Sequence, residues 1–187
     1  MTGSFPRSGA CFVSSIFPVA EVVTERLVLR RWTRAEIDAV IAGGRLPHWA
    51  VDFPAEGDRV VAGLMPDHPA WLAEYGHRLV VERGSGLIVG SIGLFWPPSS
   101  GGVEIGYGIV PSRRGHGYAT EAAQALTELA FTAPEVHTVF AKVELSNPAS
   151  VRVLEKSGFR RWTTPTDENV VELRVTRAES DDVRASG

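Results

Sequence analysis

The chain has 187 residues, 44% hydrophobic and 22% charged, which suits one domain with its own core. A formal charge of -3 with scattered basic residues gives no case for a nucleic-acid partner held by bulk charge. Cys11 is the single cysteine, which excludes an internal disulfide framework, and no apolar run approaches the roughly 20 residues of a membrane-spanning helix.

Residues 1–22 carry one arginine and then a mildly apolar stretch, as a secretory leader would, but Ser14, Ser15 and Pro18 interrupt it. A flexible N-terminal extension, able to add an edge strand, is the expectation, and with it a cytoplasmic protein. From residue 23 to 177 the pattern is a single α/β domain without linker or repeat. The polar residues 178–187 form an expected frayed tail.

A strand is expected over 25–32, with Leu27 and Leu29 on one face and Val28 and Arg30 on the other. Residues 34–41 read as a helix with Ile37, Val40 and Ile41 spaced for burial, stopped at Gly43-Gly44. A helical region over 57–75 is broken into two pieces at Pro66 and Pro69. Strands over 77–82 and 87–95 are joined by Arg83-Gly84-Ser85-Gly86 as an antiparallel hairpin. A loop over 97–102 leads to a central strand over 103–110. Beyond a helix, strands over 136–144, 158–163 and 170–176 complete a mixed sheet, with a parallel pair across the helical crossover.

Residues 105–131, IGYGIVPSRRGHGYATEAAQALTELAF, pass from strand through a basic glycine turn to a helix N-terminus. The first helical turn has unpaired N–H groups and partial positive charge, and glycines let amides approach an anion closely. Arg113 and Arg114 stand beside it, so a phosphorylated cofactor is expected. Gly115-x-Gly117-x-x-Thr120, with Glu144 ending the next strand, loosely imitates a dinucleotide fingerprint. Thr120 stands where the third glycine belongs, and the motif lies past the middle of the chain, which leaves a nicotinamide or flavin site as the weaker reading. A second motif, LSNPASVRVLEKSGF over 145–159, reads as a capped short helix. Asn147 is its N-cap, Pro148 its first residue and Gly158 its left-handed stop.

Together the two motifs resemble the GNAT superfamily of acetyl-CoA-dependent N-acetyltransferases. The acyl-CoA motif Arg/Gln-x-x-Gly-x-Gly/Ala is matched by Arg114, Gly117 and Ala119, and Asn-x-x-Ser with a following Gly-Phe by Asn147, Ser150, Gly158 and Phe159. TERLVLRRW over 24–32 and EIGYGI over 104–109 resemble the subgroup that acetylates ribosomal-protein N-termini. The resemblance covers about 24–175 and implies an α/β fold of mixed, mostly antiparallel sheet, flanked by helices, whose central parallel strands splay apart. It implies acetyl-CoA as co-substrate, with the backbone of Tyr107, Gly108 and Ile109 pairing with pantetheine. Arg114 and the amides of Gly115, His116, Gly117, Tyr118, Ala119 and Thr120 would hold the pyrophosphate, and Asn147 would lie near the thiol. Arg113 is a solvated neighbour or a contact to the ribose phosphate.

The implied chemistry is direct attack of an amine on the thioester. Many members place a thiolate-protonating tyrosine seven residues after the asparagine; here Leu154 stands there, and Ser150 inherits the donor role. Glu104 and Glu144 are the candidate bases, Glu104 preferred because the subgroup likeness falls on it. His48, His68, His77 and His137 have no ligand-like spacing, so no metal is assigned. Acceptor choice falls to a region holding Trp49, Phe53, Trp71, Tyr75, Phe95 and Trp96, at least half of them expected in the core, with Asp52, Glu56, Asp58 and Asp67 as carboxylates for a cationic acceptor. A protein or peptide N-terminus and a small amine, such as an aminoglycoside or polyamine, are the two acceptor classes. A non-catalytic acyl-CoA sensor is the remaining alternative. No membrane or nucleic-acid partner is expected, and exposed strand edges allow a monomer or a homodimer.

Overall fold

The computed structural model describes residues 21–162 and 169–180. In chain order these form β1 (Glu21–Val23), β2 (Leu27–Arg31), α1 (Arg34–Ile41), α2 (Glu56–Leu64), β3 (Arg78–Glu82), β4 (Ile88–Leu94) and β5 (Gly102–Ile109). Then come α3 (Tyr118–Ala130), β6 (Thr138–Glu144), α4 (Pro148–Lys156), β7 (Arg160–Trp162) and β8 (Val170–Thr176). The strands make one mixed sheet in the order β1-β2-β3-β4-β5-β6-β8-β7, antiparallel except for β5 and β6. The expected α/β architecture is the observed one.

The parallel pair is the feature that positions the site. Gly102, Val103 and Glu104 pair with Thr138, Val139 and Phe140, and there the ladder ends. From Ile105 on, β5 pairs only with β4, while β6 from Ala141 to Glu144 pairs only with β8. The strands therefore splay as expected, leaving backbone N–H and C=O groups on facing edges without a strand partner.

Residues opposite each other in a ladder share a face of the sheet. Tyr107, Ile105 and Ile92 lie on the face covered by α3 and α4, since the Tyr107 hydroxyl donates to the Ser150 carbonyl of α4 at 3.0 Å. Ser91, Gly93, Gly106 and Gly108 lie on the opposite face, where α2 reaches Ser91. Helix α3 packs against β2, β4 and β5, burying Ala122, Ala123, Leu126 and Ala130 at the recurring interval its sequence set. Each leucine so buried, Leu27, Leu29, Leu126 and Leu154 among them, contributes roughly 2 kcal/mol of transfer free energy.

Helix α1 begins with a capping box: Thr33 accepts from the Glu36 amide, and Glu36 reaches back to the Thr33 amide. Glu36 is buried and also takes Arg30 at 2.5 Å and His48 at 3.0 Å. Burial alone would raise its carboxyl, but the hydrogen bonds from Arg30, Thr33 and His48 prevail and hold it at about 2. A depressed carboxyl stabilises the fold above its unfolded value and loses that contribution as pH falls toward the folded value. Acid unfolding should therefore steepen between about pH 4.5 and 2. Glu36→Gln should remove on the order of 2–3 kcal/mol at neutral pH and flatten that limb, as read by urea unfolding across pH.

Several expectations move at their edges. Only the first piece of the 57–75 region is α-helical; after Leu64 the chain makes two one-turn 3-10 helices, Met65–Asp67 and Pro69–Leu72, each with its proline in the first two positions, where a missing N–H costs nothing. Ile41, expected in the core, is 54% exposed because the helix ends with it, before Gly43 turns at φ +68. β3 starts at Arg78 because the His77 amide turns away to the Trp71 carbonyl. β6 starts at Thr138 because the amides of His137 and Thr138 both donate to the Gly101 carbonyl. β1 is the edge strand anticipated at the end of the N-terminal extension. A helical turn over 177–180 extends into the expected tail, with the Thr176 amide and hydroxyl donating to Glu179. Expectations for 1–20, 163–168 and 181–187 lie outside the described residues.

Candidate active site

Two cavities meet at the free edge of β5. The first, about 470 Å³, lies on the α3 and α4 face between the last residues of β5 and the two helix N-termini. Its walls include every cofactor residue named from the sequence except His116: Tyr107, Gly108, Ile109, Arg114, Gly115, Gly117, Tyr118, Ala119, Thr120 and Asn147, with Ser150 beside them. His116 is exposed and turns its ring to the Arg114 carbonyl at 2.9 Å.

The turn before α3 is built for close approach. Gly115 and Gly117 sit at φ +79 and +80, a region that L side chains rarely adopt. Gly117 is also the N-cap of α3, so no side chain occupies the first-turn amides, and the Glu121 amide donates to the Gly117 carbonyl at 3.1 Å. Arg26, from the turn between β1 and β2, holds this loop from behind: its guanidinium donates to the His116 carbonyl at 2.7 Å and pairs with Glu121 at 2.7 Å. Arg113, Arg114, Arg152 and Lys156 give the cavity four cationic side chains. The sequence reading missed Arg152 and Lys156. The signal was available, because on a helix capped at Asn147 these two lie four apart and so on one face with Ala149 and Val153.

Asn147 caps α4 by accepting from the Ser150 amide at 3.1 Å, as its place before Pro148 foretold. Tyr107 is largely enclosed, and burial pushes its hydroxyl up to about 12 against the opposing hydrogen bond at Ser150. It is therefore a neutral hydrogen-bond donor at working pH. Leu154, at the position where the likeness placed a tyrosine, is fully buried in the core and offers the site no donor.

The second cavity, about 320 Å³, lies on the α1 and α2 face. Val61, Phe95 and Gly106 line it together with Glu56, Asp58, His77 and Ser91. Tyr107, Gly108, Ile109 and Arg114 line both cavities, so the last turn of β5 is a shared wall. Of the four carboxylates set aside for a cationic acceptor, Glu56 and Asp58 reach this cavity. Asp52 instead accepts the amide and hydroxyl of Ser112, and Asp67 stands outside. Trp49, Phe53 and Trp71 are core, as expected of half the aromatic set.

Glu104 and Glu144 line neither cavity. Glu104 is on the α1 and α2 face of the sheet, where burial pushes its carboxyl up, opposed by Lys142 and reinforced by Glu172. Glu144 is exposed and accepts the Ser146 hydroxyl at 3.1 Å. Among the described residues no cluster of His, Cys, Asp and Glu could hold a metal, and no helix is long and apolar enough to cross a membrane.

A family model described as Acetyltransferase (GNAT) domain matches residues 26–160. The chain belongs to the GNAT acetyltransferase family. Among curated relatives, the GNAT chain is similar to YjdG, named an uncharacterized N-acetyltransferase, of Bacillus subtilis (strain 168). The two are 37% identical over 82 residues, which is 43% of this chain and 49% of that protein. The chain thus spans about half the length of that relative. Its fold matches that of AAC(6')-Ib solved with ribostamycin and coenzyme A, at a TM-score of 0.63 and 20% identity, covering 87% of this chain and 100% of that one. It also matches a Vibrio cholerae protein described as a candidate ribosomal-protein-serine acetyltransferase, at a TM-score of 0.62 and 20% identity, covering 85% and 98%.

The GNAT site fits a coenzyme A thioester on the chain's own terms. The gap between β5 and β6 offers unpaired backbone for an amide-rich arm, while the uncapped start of α3 and the four cations suit its phosphates.

Proposed function

We propose that this protein transfers the acetyl group of acetyl-CoA to a primary amine. The observation that carries the proposal is the shared wall at Tyr107, Gly108 and Ile109, which borders a cationic cavity on one face and a carboxylate-bearing cavity on the other. A cofactor held on the first side and an amine held on the second would meet at one strip of backbone.

The thioester supplies an activated acetyl group. Backbone of Tyr107 to Ile109 binds the pantetheine arm, and the amides from Gly115 to Thr120, with Arg114, hold the pyrophosphate. Arg152 and Lys156 neutralise the remaining phosphate charge. An N–H of the β5 edge stabilises negative charge as it develops on the carbonyl oxygen. Ser150 lies beside Asn147 at the start of α4 and donates a hydrogen bond to the departing sulfur. Ser150→Ala should lower kcat about 10-fold or more while leaving acetyl-CoA affinity unchanged. Steady-state kinetics beside calorimetry reads both, and an unchanged kcat removes Ser150 from the reaction.

A protein or peptide N-terminus is one acceptor reading, supported by the runs over 24–32 and 104–109 and by the likeness to the Vibrio cholerae protein. A small amine is the second reading, supported by the likeness to a structure holding an aminoglycoside and by the acidic cavity. A thiol-release assay offering Ala- and Ser-initiated peptides, ribostamycin and spermidine separates them. Turnover confined to the peptides upholds the first, and turnover confined to ribostamycin or spermidine upholds the second.

A further inference from the structure

The second cavity contains three polar groups for which the cofactor side has no use. Asp58, Ser91 and His77 are 3%, 6% and 2% exposed. Both oxygens of Asp58 are anchored, one accepting from the Ala55 amide at 2.8 Å and the other from the Ser91 hydroxyl, yet each carboxylate oxygen keeps a second lone pair. His77 lies 4.8 Å from the Trp71 ring and 5.1 Å from Phe95, and its Nε2 has no hydrogen-bond partner. Leaving such a buried atom unsatisfied is costly, so a polar ligand in the cavity that His77 lines would be stabilised by meeting it.

The placement of these groups is as informative as their burial. Ser91 faces Gly108 directly across the β4 and β5 ladder, on the same side of the sheet. A Cβ at Gly108 would meet nothing within 4 Å, so space lies open there. Asp58 is thus one hydrogen bond from the side chain flanking the wall that both cavities share. Glu104 is four residues earlier on β5, about 13 Å away at ~3.3 Å per residue.

We propose that the Asp58, Ser91 and His77 cavity is the acceptor-amine site, that Asp58 removes the ammonium proton, and that the acceptor is a primary ammonium on a slim aliphatic stem. The stem packs on Val61 and Phe95, and the neutral His77 Nε2 accepts a hydrogen bond from the ammonium. This inference rests on the acetyl-transfer reading and assigns the proton acceptor within it. An N–H bond breaks and its proton passes to Asp58, leaving the pair on nitrogen. That pair forms the new C–N bond, the C–S bond breaks with its pair on sulfur, and a second nitrogen proton ends on sulfur. Asp58 then returns its proton to solvent.

Burial sets Asp58 apart from the exposed Glu56 in the same cavity, and its chemistry suits the task. Burial pushes its carboxyl up, opposed by the Ser91 and Ala55 hydrogen bonds and by Arg59. Burial drives His77 down to about 4, so it is neutral at working pH and does not repel an ammonium. The charged and titratable groups around Asp58 are Glu56 and Arg59 on its own helix, His77 before β3, Tyr107 in β5 and Arg114 after β5.

The test uses the full chain with n-butylamine as probe, reading calorimetric binding to the CoA-loaded protein and thiol release from acetyl-CoA. Asp58→Asn keeps an acceptor for the Ala55 amide and an amide partner for Ser91. It should bind acetyl-CoA as the wild type does, bind butylamine at least about 10-fold more weakly, and turn over about 100-fold more slowly. Should Asp58→Asn not fold, Ser91→Ala decides the matter. It removes a bond that holds the Asp58 carboxyl down, so the acid limb of kcat/KM must move to higher pH, and an unmoved limb overturns the assignment. Wild-type behaviour of Asp58→Asn overturns it too. So does a wild type that acetylates a peptide but neither binds nor acetylates butylamine, which leaves the transfer reading standing. A wild type that fails to bind acetyl-CoA sinks that reading as well.

Discussion

Gly117→Glu is expected to abolish coenzyme A binding while leaving the protein folded. Two effects act at this position. Its φ of +80 is a left-handed conformation that costs a side-chain-bearing residue about 1–2 kcal/mol. A Cβ there would also lie 3.3 Å from the Arg26 guanidinium, whose flexible end can shift. These terms set a modest loss of stability. The second effect is larger. A carboxylate at the N-cap of α3 would take the first-turn amides for itself and stand against incoming phosphate. Two like charges about 4 Å apart at a partly exposed site repel by about 4 kcal/mol, which corresponds to roughly 1,000-fold in affinity. Calorimetry should therefore detect no binding at concentrations that saturate the wild type. Tight binding by Gly117→Glu would show that the pyrophosphate lies elsewhere.

Gly90→Ala should unfold or severely destabilise the chain. Gly90 is in the fully buried β4, opposite Ile109, and a Cβ there would stand 2.0 Å from the Gly108 carbonyl oxygen and 3.0 Å from the Ile109 Cα. Both obstacles are backbone, so no side-chain rotation relieves them. Either β4 and β5 separate or the ladder shifts, at about 3 kcal/mol or more. The displaced residues are the ones both cavities share, so any folded fraction should also bind acetyl-CoA poorly. Chemical denaturation gives the first quantity and calorimetry the second. A variant with wild-type stability would mean that β5 yields easily at Gly108.

The grouping of residues around the first cavity was legible in the sequence because that cavity is built locally. Strand, turn and α3 follow one another from Gly102 to Ala130, so the glycines, arginines and helix start that act together also lie together in the chain. The same holds for Asn147, Pro148 and Ser150, whose capping roles depend on spacing within a few residues. The splay of β5 and β6 was anticipated from family likeness and follows from where their ladder stops.

The proposed acceptor cavity was not legible in the same way. Asp58, His77, Ser91 and Gly108 come from four separate elements or their flanks and meet only through antiparallel pairing and the docking of α2 on β4. Taken singly, Asp58 reads as a first-turn helix carboxylate, Ser91 as a strand serine and His77 as a lone histidine. Glu104 shows the converse. Its sequence context marked it as the base, and it does share the sheet face of Gly106 and Gly108, but its place in β5 sets it beside Phe140, Lys142 and Glu172, away from the shared wall. Arg152 and Lys156 were within reach of helical periodicity once α4 had been capped at Asn147.

The most direct measurement of acetyl transfer quantifies free thiol released from acetyl-CoA and acetylated amine formed, by mass spectrometry, in the same reaction. Peptides, ribostamycin, spermidine and n-butylamine are offered in turn. The expected result is thiol and acetylated amine in equal amounts with at least one acceptor, both lost in Gly117→Glu. Thiol without acetylated amine, or neither product from a protein that binds acetyl-CoA and is offered every acceptor, would contradict it.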